Sequence, residues 1–463
     1  MGPGRYLGWL PGLLTAAAVA GTPLGEAGAR HLLERTGFGA PPVQVAEFSR
    51  LERRQAVDRL LADRRTVALQ PPPPIAYERL SRLKDLSEEE RKAVQRELVR
   101  QGGELRDWWA GEMLRAPTAG DALAEHMTLF WHNHFVSSQQ KVRSSYLMLK
   151  QNELLRSQAL GNFGQLLHAV AKDPAMVVYL DSATNRKGSP NENFAREVME
   201  LFTLGEGRYS DSDVREAARA FTGWSIDPET GDFRGRPPIH DGGEKTVLGR
   251  SGNFDGDDVL DILLEQPATA EFIVAKLWRE FVSPAPDPGE VRRIAAAFRG
   301  SSYEVRAALG PLLLSPAFWA PENRGILVKA PVDWVIGTIR TLDVEVPDPS
   351  PLAFALRQLG QDLFAPPNVK GWPGGEMWIN ATTLLARRQL IDRLLRGEEM
   401  PRRPPRGTLD MHFDSAAWLQ RYRDRASVQQ ALLALPAVQP PAAGASGLEL
   451  LRALLLDPVF QLK

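Results

Sequence analysis

The stretch Val43-Gln-Val-Ala-Glu-Phe-Ser-Arg-Leu-Glu-Arg-Arg-Gln-Ala-Val-Asp-Arg-Leu-Leu-Ala62 shows the pattern that decides the fold class. Its apolar side chains recur at three- and four-residue spacing, which is typical of one or two amphipathic helices; they are Val45, Phe48, Leu51, Val57, Leu60 and Leu61. Helical patterns of this kind continue nearly throughout the chain from His31 onward. We therefore predict a mainly α protein, a globular array of many helices.

A second pattern interrupts the helices between residues 225 and 248. This segment carries helix-breaking residues at Pro228, Gly231, Gly235, Pro237, Pro238, Gly242 and Gly243. Because proline and glycine disfavour helix interiors, we predict a small β-hairpin or loop insertion at about 225–250. For the rest of the chain we predict a signal peptide over 1–20, an N-terminal helical segment over 21–75, a main helical domain with the motifs over 76–396, and a C-terminal helical segment over 397–463 that packs on it.

The composition limits the classes of function. The 463 residues include 56 basic and 57 acidic side chains, so the chain has no overall attraction for nucleic acid and we predict no nucleic-acid partner. Cysteine is absent, which excludes disulfides, thiolate metal sites and a cysteine nucleophile. The HExxH helix of zinc proteases, the GxSxG nucleophile elbow and the GxxxxGK(S/T) phosphate loop are absent as well.

The N-terminus has the features of a secretory signal. An apolar stretch runs from Tyr6 to Ala20 after a single basic residue, and Ala18-Val19-Ala20 fits the small-x-small pattern before a cleavage site. We therefore predict an exported protein, periplasmic or extracellular. The stretch is shorter than the ~20 apolar residues of a membrane span, so we predict no span in the mature chain. A buried N-terminal helix is the alternative.

The segment His126-Met-Thr-Leu-Phe-Trp-His-Asn-His-Phe135 holds three of the seven histidines. Imidazole serves both proton transfer and metal ligation, so His132 and His134 are candidate catalytic residues and metal ligands, with Asn133 a candidate for substrate binding. On one α-helix, residues two apart project about 200° apart, and the two rings could share a metal only on an extended or irregular segment. The alternative is a buried aromatic helix whose histidines are satisfied by hydrogen bonds.

A polar loop from Asp181 to Asn193 leads into a helical stretch with paired carboxylates. At 100° per residue, Glu197 and Glu200 lie on one side of that helix, where they could hold a hard cation or divide acid and base roles. Both are candidate catalytic residues and metal ligands, and Asp181 is a further catalytic candidate. The candidate substrate-binding groups of the loop are Asn185, Arg186, Asn191 and Asn193. A surface amphipathic helix that is capped by Asn191 or Asn193 would show the same pattern.

Two further loop motifs add candidates. His240-Asp241 places an imidazole beside a carboxylate; we list His240 as catalytic and Asp241 as substrate-binding, on condition that their loop folds over the Glu197 helix. Lys370-Gly-Trp-Pro-Gly-Gly-Glu-Met-Trp378 places two indoles in a loop rich in glycine and proline. Exposed, Trp372 and Trp378 would bind a sugar ring, whereas buried they would fasten the loop to the core.

These segments also carry a family resemblance. The chain resembles the bacterial family called domain of unknown function 1800 in Arg30–Gly39, Leu129–Phe135, Ala183–Glu197, Glu200–Gly207, Ala220–Trp224, Gly252–Gly256 and Ala365–Gly374, as well as in His240-Asp241 and the C-terminal Leu-Leu-Leu-Asp-Pro-Val-Phe-Gln-Leu462. The resemblance covers about residues 30–463 in order. It implies an α-helical protein whose gene commonly neighbours that of another family, domain of unknown function 1501, which is similar to sulfatases and alkaline phosphatases. It implies no settled reaction, so the roles above rest on residue chemistry.

Two functions fit these observations. The first is an exported hydrolase that acts on a polar or glycan-type substrate, in which a divalent metal could assist the reaction. The second is a non-enzymatic envelope protein that binds or assists a partner, with the sulfatase-like neighbour as the first candidate. In the second case the polar residues would form buried networks that fix the loops. We favour the enzyme.

Overall fold

The structure, a computed structural model, describes residues 21–62, 65–77, 86–397, 400–401, 408–409 and 411–463. The predicted signal peptide lies outside the described residues. The mainly α prediction is confirmed, and in the described parts the α-helices are α1 Gly25–Thr36, α2 Pro42–Phe48, α3 Arg53–Ala62, α4 Glu88–Leu114, α5 Ala119–His134, α6 Gln139–Val142, α7 Ser145–Ser157, α8 Phe163–Ala171, α9 Pro174–Tyr179, α10 Asn193–Glu197, α11 Asp211–Ala220, α12 Gly256–Glu265, α13 Pro267–Phe281, α14 Pro288–Gly300, α15 Val305–Leu314, α16 Pro316–Trp319, α17 Pro331–Thr341, α18 Ser350–Gln358, α19 Ala381–Arg396, α20 Ser415–Leu419, α21 Arg425–Leu432 and α22 Gly447–Leu455.

The predicted insertion is confirmed and consists of two hairpins. Strands β1 Trp224–Ile226 and β2 Phe233–Gly235 pair antiparallel, with Trp224 opposite Gly235. Strands β3 Lys245–Val247 and β4 Arg250–Gly252 form the second antiparallel pair. A further short pair, β5 Met400–Pro401 and β6 Thr408–Leu409, lies near the C-terminal helices in sequence. The breaker residues thus end the helices and form tight turns.

Short polar side chains set several helix starts. Ser87 accepts a hydrogen bond from the Glu90 N–H and the Glu90 side chain accepts one in return, so a capping box opens α4. Thr118 opens α5 in the same way, and Asp255 opens α12. At α10, however, the N-cap position belongs to Glu192, whose side chain forms no capping hydrogen bond. Asn191 Oδ1 instead accepts from the N–H of Asn193, the first residue of α10, at 3.0 Å, so one of the two expected asparagines does cap the start of the helix.

A π-helix replaces the expected α-helix directly after α10. It spans Val198–Thr203, and the two elements together carry Glu197 and Glu200. In a π-helix the hydrogen bonds run from residue i to i+5, so the turn is wider and backbone carbonyls change direction. The uniform 100° per residue assumed from the sequence therefore fails here. Such turns occur frequently at functional sites.

Buried apolar side chains from Ala29 to Phe460 form a continuous core. Its largest fully buried members include Trp109, Trp131, Trp278 and Trp334. In the described ranges, no helix is long and apolar enough to cross a membrane. The division into segments ending at 75 and 396 stays a prediction.

Two helix faces meet across one cavity. On α5, residues 126, 129, 130 and 133 share a face because they are spaced at three, four and seven residues. On α13, residues 276, 279 and 280 share a face for the same reason. The start of α17 and the loop before the 3₁₀ turn Gly375–Trp378 complete the walls.

Candidate active site

The cavity has a volume of about 510 Å³ and collects polar side chains from separate parts of the chain. Its polar lining includes His126, Asn133, Lys276, Arg279, Glu280 and Asp333. Mixed charged, amide and aromatic groups in a partly enclosed space are what a site for a polar small molecule requires. Two wider clefts, of about 970 and 840 Å³, lie elsewhere on the molecule.

His126 forms the first charged pair of the cavity. Its Nε2–H donates to Glu280 Oε1 at 2.7 Å, and its Nδ1 lies 4.0 Å from Asp333 Oδ1. Only 3% of the His126 side chain is exposed, whereas 35% of the Glu280 side chain is exposed. Burial alone would raise the pKa of Glu280, but the hydrogen bond and charge of His126 lower it to about 2. Glu280 is therefore an ionised carboxylate at the cavity wall.

Asp333 forms a second pair with Lys463. Lys463 Nζ lies 2.6 Å from Asp333 Oδ2, and both side chains are buried. The Ala330 N–H also donates to Asp333 Oδ2, at 3.3 Å. Both cavity carboxylates, Glu280 and Asp333, thus already have a cationic or potentially cationic partner.

Lys276, by contrast, has no partner of opposite charge among the described residues. Its Nζ donates to His134 Nδ1 at 2.9 Å and to the Leu201 carbonyl at 3.2 Å. Both acceptors are neutral, and within the described ranges no carboxylate is in ion-pair contact with Nζ. Burial, reinforced by the charge of Arg279, lowers the pKa of Lys276 to about 8.

The partner of Lys276 is fixed as a neutral ring. Because His134 Nδ1 accepts from Lys276, its Nε2–H is left to donate to the Phe202 carbonyl at 3.1 Å. Burial and the charge of Lys276 hold the pKa of His134 well below its ordinary value. The two carbonyls that complete this network, those of Leu201 and Phe202, belong to the π-helix. The π-helix therefore supplies two hydrogen-bond acceptors to this network at the cavity.

The indole loop packs directly on α5. Asn133 Oδ1 accepts from the Trp372 N–H at 2.7 Å. Gly371 has φ +89°, and a Cβ there would lie 2.2 Å from Asn133 Oδ1, so only glycine fits this contact. Trp372 and Trp378 line the cavity, but each is only 5% exposed. Their main role is to fasten the loop to the core, with their edges forming part of the wall.

His132 does not line the cavity, although it is the neighbour of Asn133 on α5. It is fully buried, and its ring packs against the rings of Trp109, Phe364 and Trp372 at centroid distances of 5.5, 5.6 and 5.5 Å. Neither ring nitrogen has a hydrogen-bond partner in the structure. Burial lowers its pKa to about 3, so the ring is neutral. The α-helical geometry thus separates His132 from His134, as the 200° argument requires.

The predicted metal ligands gain no support from the geometry. Where the chain is described, no group of three or more His, Asp or Glu side chains could hold a metal ion. No three of His132, His134, Glu197 and Glu200 therefore form a ligand set in this structure. Metal binding stays a prediction from the sequence.

Glu197 and Glu200 do lie close enough to influence each other. Burial and the charge of Glu200 raise the pKa of Glu197, while Arg196 and Lys370 oppose the rise. The Tyr209 hydroxyl donates to Glu200 Oε2 at 2.6 Å. Since Lys370 also lines the cavity, this carboxylate pair adjoins the cavity without forming part of its lining.

The amides of the polar loop hold the loop itself. Asn185 Nδ2 donates to the Ala218 carbonyl at 2.8 Å, and its Oδ1 accepts from the Asn191 N–H at 2.9 Å. Asn191 Oδ1 accepts from the Asn193 N–H, and Asn193 Nδ2 donates to the Leu180 carbonyl. These three predicted substrate-binding residues thus serve the loop structure. Only Asn191, with Arg186, lines the 840 Å³ cleft.

The remaining candidates also have local partners. Asp181, with φ +58°, pairs with Lys141 at 2.7 Å. His240 Nδ1 lies 2.9 Å from the Thr222 carbonyl, and Asp241 accepts from Arg219 Nε at 2.8 Å. The Arg219 hydrogen bond lowers the pKa of Asp241 to about 2. Neither His240 nor Asp241 lines the cavity, and their roles stay predictions from the sequence.

The structure therefore places some of the predicted site residues at the cavity, together with residues that the sequence did not predict. Asn133, His134, Trp372 and Trp378 meet at the cavity, and the residues that sequence reasoning missed are His126, Lys276, Arg279, Glu280 and Asp333. The seven-residue spacing of His126 and Asn133 was a usable signal for a shared helix face. The residues on α13 and α17 gave no comparable signal, because charged residues at helical spacing are common on exposed helices.

Comparison with known proteins agrees with the motif evidence. No curated protein matches the chain, and no solved structure matches it either. The sequence model of one family, described as protein of unknown function (DUF1800), matches residues 31–462, nearly the whole chain. The protein belongs to the DUF1800 family.

Proposed function

We propose that the 510 Å³ cavity is the active site of a hydrolytic enzyme and that Lys276 is its proton-transfer group. The observation that carries the proposal is the environment of Lys276: a partly buried lysine at a cavity wall whose only hydrogen-bond acceptors are neutral. Buried charges in proteins are ordinarily paired. A lysine with a lowered pKa in a cleft is therefore a strong candidate for a functional group.

A pKa near 8 suits both halves of a hydrolysis. In its charged form, the Lys276 ammonium donates a proton to the leaving group. The neutral amine then accepts a proton from the attacking water, so the ammonium is restored at the end of the cycle. His134 and the Leu201 carbonyl hold Nζ in place during these transfers.

The remaining lining supports a polar or glycan-type substrate. Glu280 and Asn133 offer hydrogen-bond acceptors, and the edges of Trp372 and Trp378 offer apolar contact of the kind that sugar rings use. We also retain two proposals from the sequence: export of the protein, and assistance by a divalent metal. Neither is needed for the role given to Lys276.

A panel of chromogenic nitrophenyl esters, phosphates, sulfates and glycosides tests the proposal. We expect turnover of at least one class by the full chain, and a loss of kcat/KM of about 10²–10⁴-fold in Lys276→Met. Lys245→Met is the matched control, because Lys245 is a buried lysine that does not line the cavity. Equal activity in Lys276→Met and the unmodified protein would refute the role of Lys276.

The second candidate function is a binding or accessory protein. The observation in its favour is that Asn185, Asn191 and Asn193 hold their own loop, as expected for a structural network. The sulfatase-like neighbour family is the proposed partner in that case. No turnover across the whole panel, together with ligand binding in the cavity, would favour this candidate.

A further inference from the structure

Helix α13 offers Lys276 a normal ion pair that it does not make. Glu280 lies four residues after Lys276, a spacing that ordinarily joins opposite charges on a helix surface. Instead, Glu280 accepts from His126 at 2.7 Å, and Lys276 donates to His134 at 2.9 Å. Both contacts cross from α13 to α5. Glu280 and Lys276 therefore form hydrogen bonds to α5 and not to each other, and Lys276 is left without a carboxylate partner.

A second unmatched cation stands beside the first. Arg279 lies three residues after Lys276 on the same face, and its one hydrogen bond goes from Nη1 to the Ala275 carbonyl of its own helix at 3.4 Å. The charge of Arg279 lowers the pKa of Lys276, which shows that the two cations repel each other. No described carboxylate forms an ion pair with either of them.

A third cation lies on the opposite wall. Lys370 lines the same cavity, and the Glu197 carboxylate feels its charge. The carboxylates of the cavity, Glu280 and Asp333, are paired with His126 and Lys463. Lys276 and Arg279 therefore lack a carboxylate partner among the described residues, and Lys370, whose charge acts on Glu197, adds a third positive charge to the cavity.

We infer that the cavity recognises a tetrahedral oxyanion, a phosphate or sulfate group of the substrate, bound between Lys276 and Arg279 with Lys370 at the rim. A planar carboxylate carries one negative charge and would neutralise one of the three cations. A tetrahedral oxyanion presents oxygens in several directions, so it can accept from the Lys276 ammonium and the Arg279 guanidinium together. This inference rests on the proposed function in placing the substrate in the same cavity.

Titration calorimetry with inorganic phosphate, sulfate and acetate at constant ionic strength tests the inference. We expect saturable binding of phosphate, sulfate or both to the full chain, and much weaker binding of acetate. Arg279→Gln is expected to weaken the oxyanion affinity at least about tenfold. The substitution suits the test because Arg279 is exposed, so the variant is expected to fold. Arg293→Gln removes an equally exposed arginine from α14, outside the cavity, and should leave the affinity unchanged.

The outcomes separate the possible sources of the anion and the two proposals. Tighter binding of phosphate would indicate a phosphorylated substrate, and tighter binding of sulfate a sulfated one. No oxyanion binding, equal acetate binding, or an unchanged affinity in Arg279→Gln would overturn the inference. Lys276-dependent turnover of a neutral glycoside without oxyanion binding would leave the proposed function standing, whereas oxyanion binding without any turnover would leave the inference standing alone.

Discussion

Lys276 illustrates how a residue that looks ordinary in the sequence becomes exceptional in the fold. Its sequence context, on an amphipathic helix with Arg279 and Glu280, is that of a surface lysine. The fold packs it, partly buried, against His134 and the π-helix and leaves its charge without a carboxylate. An enzyme can retain such an unfavourable arrangement because function requires it, at the expense of stability.

Lys276→Met is therefore expected to leave stability unchanged or to raise it by up to about 2 kcal/mol at neutral pH. The lowered pKa of Lys276 means that the folded state is penalised below about pH 8, and that the penalty disappears as the pH rises toward the ordinary value of 10.5. The stability gained by Lys276→Met should therefore be smaller in alkaline solution. Urea unfolding at about pH 7 and about pH 10 measures it. A large loss of stability at neutral pH would mean that Lys276 is a structural residue.

Asp173 provides a residue-scale test away from the cavity. It is buried, caps α9 by accepting from the Met176 N–H at 2.9 Å, and accepts from Gln151 Nε2 at 2.8 Å. Burial raises its pKa to about 7, against the effect of these hydrogen bonds. A raised carboxyl pKa stabilises the folded state at low pH, and this contribution is lost as the pH rises through about 7.

We expect Asp173→Asn to remove this pH dependence. Both hydrogen bonds end on Oδ2 of Asp173, so the Oδ1 of the neutral amide, in the same place, can accept from the Met176 N–H and from Gln151 Nε2. The free energy of unfolding should therefore fall less between about pH 5 and about pH 8 in the variant than in the unmodified protein. Parallel curves for the two proteins would show that Asp173 does not titrate in this range.

At the scale of elements, the cavity depends on contacts between segments far apart in the chain. The Asn133 side chain of α5 receives the Trp372 N–H from a loop 239 residues away. The glycine before that indole lets the two backbones approach, because a side chain there would collide with Asn133. The π-helix supplies the carbonyls for Lys276 and His134. Local sequence patterns could predict α5 itself but none of these contacts.

Gly371→Ala should destabilise the protein by about 1–3 kcal/mol and weaken ligand binding in the cavity. The alanine would have to adopt a φ of +89°, which is unfavourable for any residue with a side chain. Its Cβ would lie 2.8 Å from the Asn133 carbonyl oxygen. Gly374→Ala is the matched control, because a Cβ at Gly374 meets no atom within 4 Å. Thermal unfolding of both variants measures the difference, and equal melting temperatures would contradict the described contact between the loop and α5.

Asn185→Ala should lower stability by about 2 kcal/mol without a direct effect on chemistry. The side chain is buried and makes two hydrogen bonds within the chain, which the alanine cannot replace. We expect the folded variant to keep the kcat/KM of the unmodified protein, measured below its melting temperature. A selective loss of activity with normal stability would restore Asn185 as a substrate-binding residue.

At the scale of the whole molecule, the sequence was sufficient for the fold class and for several details. Helical periodicity and the breakers between 225 and 248 are local features, and the structure confirms both predictions. The candidate site was only partly predictable. Whether a helix face meets a cavity depends on its distant partners, such as Glu280, which lies 154 residues from His126. The π-helix at Val198–Thr203 carries no residue that would have marked it in advance.

Contacts with distant segments also explain why two histidines of one motif have different surroundings. His132 and His134 look equivalent in the sequence, yet one packs among aromatic rings and the other holds a lysine. His126, eight residues before His134, is the one that pairs with a carboxylate. Family membership assigns no reaction. The function therefore has to be tested at the cavity itself.

The measurement that tests the central claim most directly is the pKa of the Lys276 amine in the full chain. Competitive acylation over a range from about pH 6 to about pH 11, followed by mass spectrometry of the peptides, gives this value for each lysine. We predict a pKa near 8 for Lys276, with slower labelling when phosphate is present, and no effect of phosphate on the labelling of the exposed Lys92. A pKa near 10.5 with labelling unaffected by phosphate would contradict both the unpaired lysine and the site built around it.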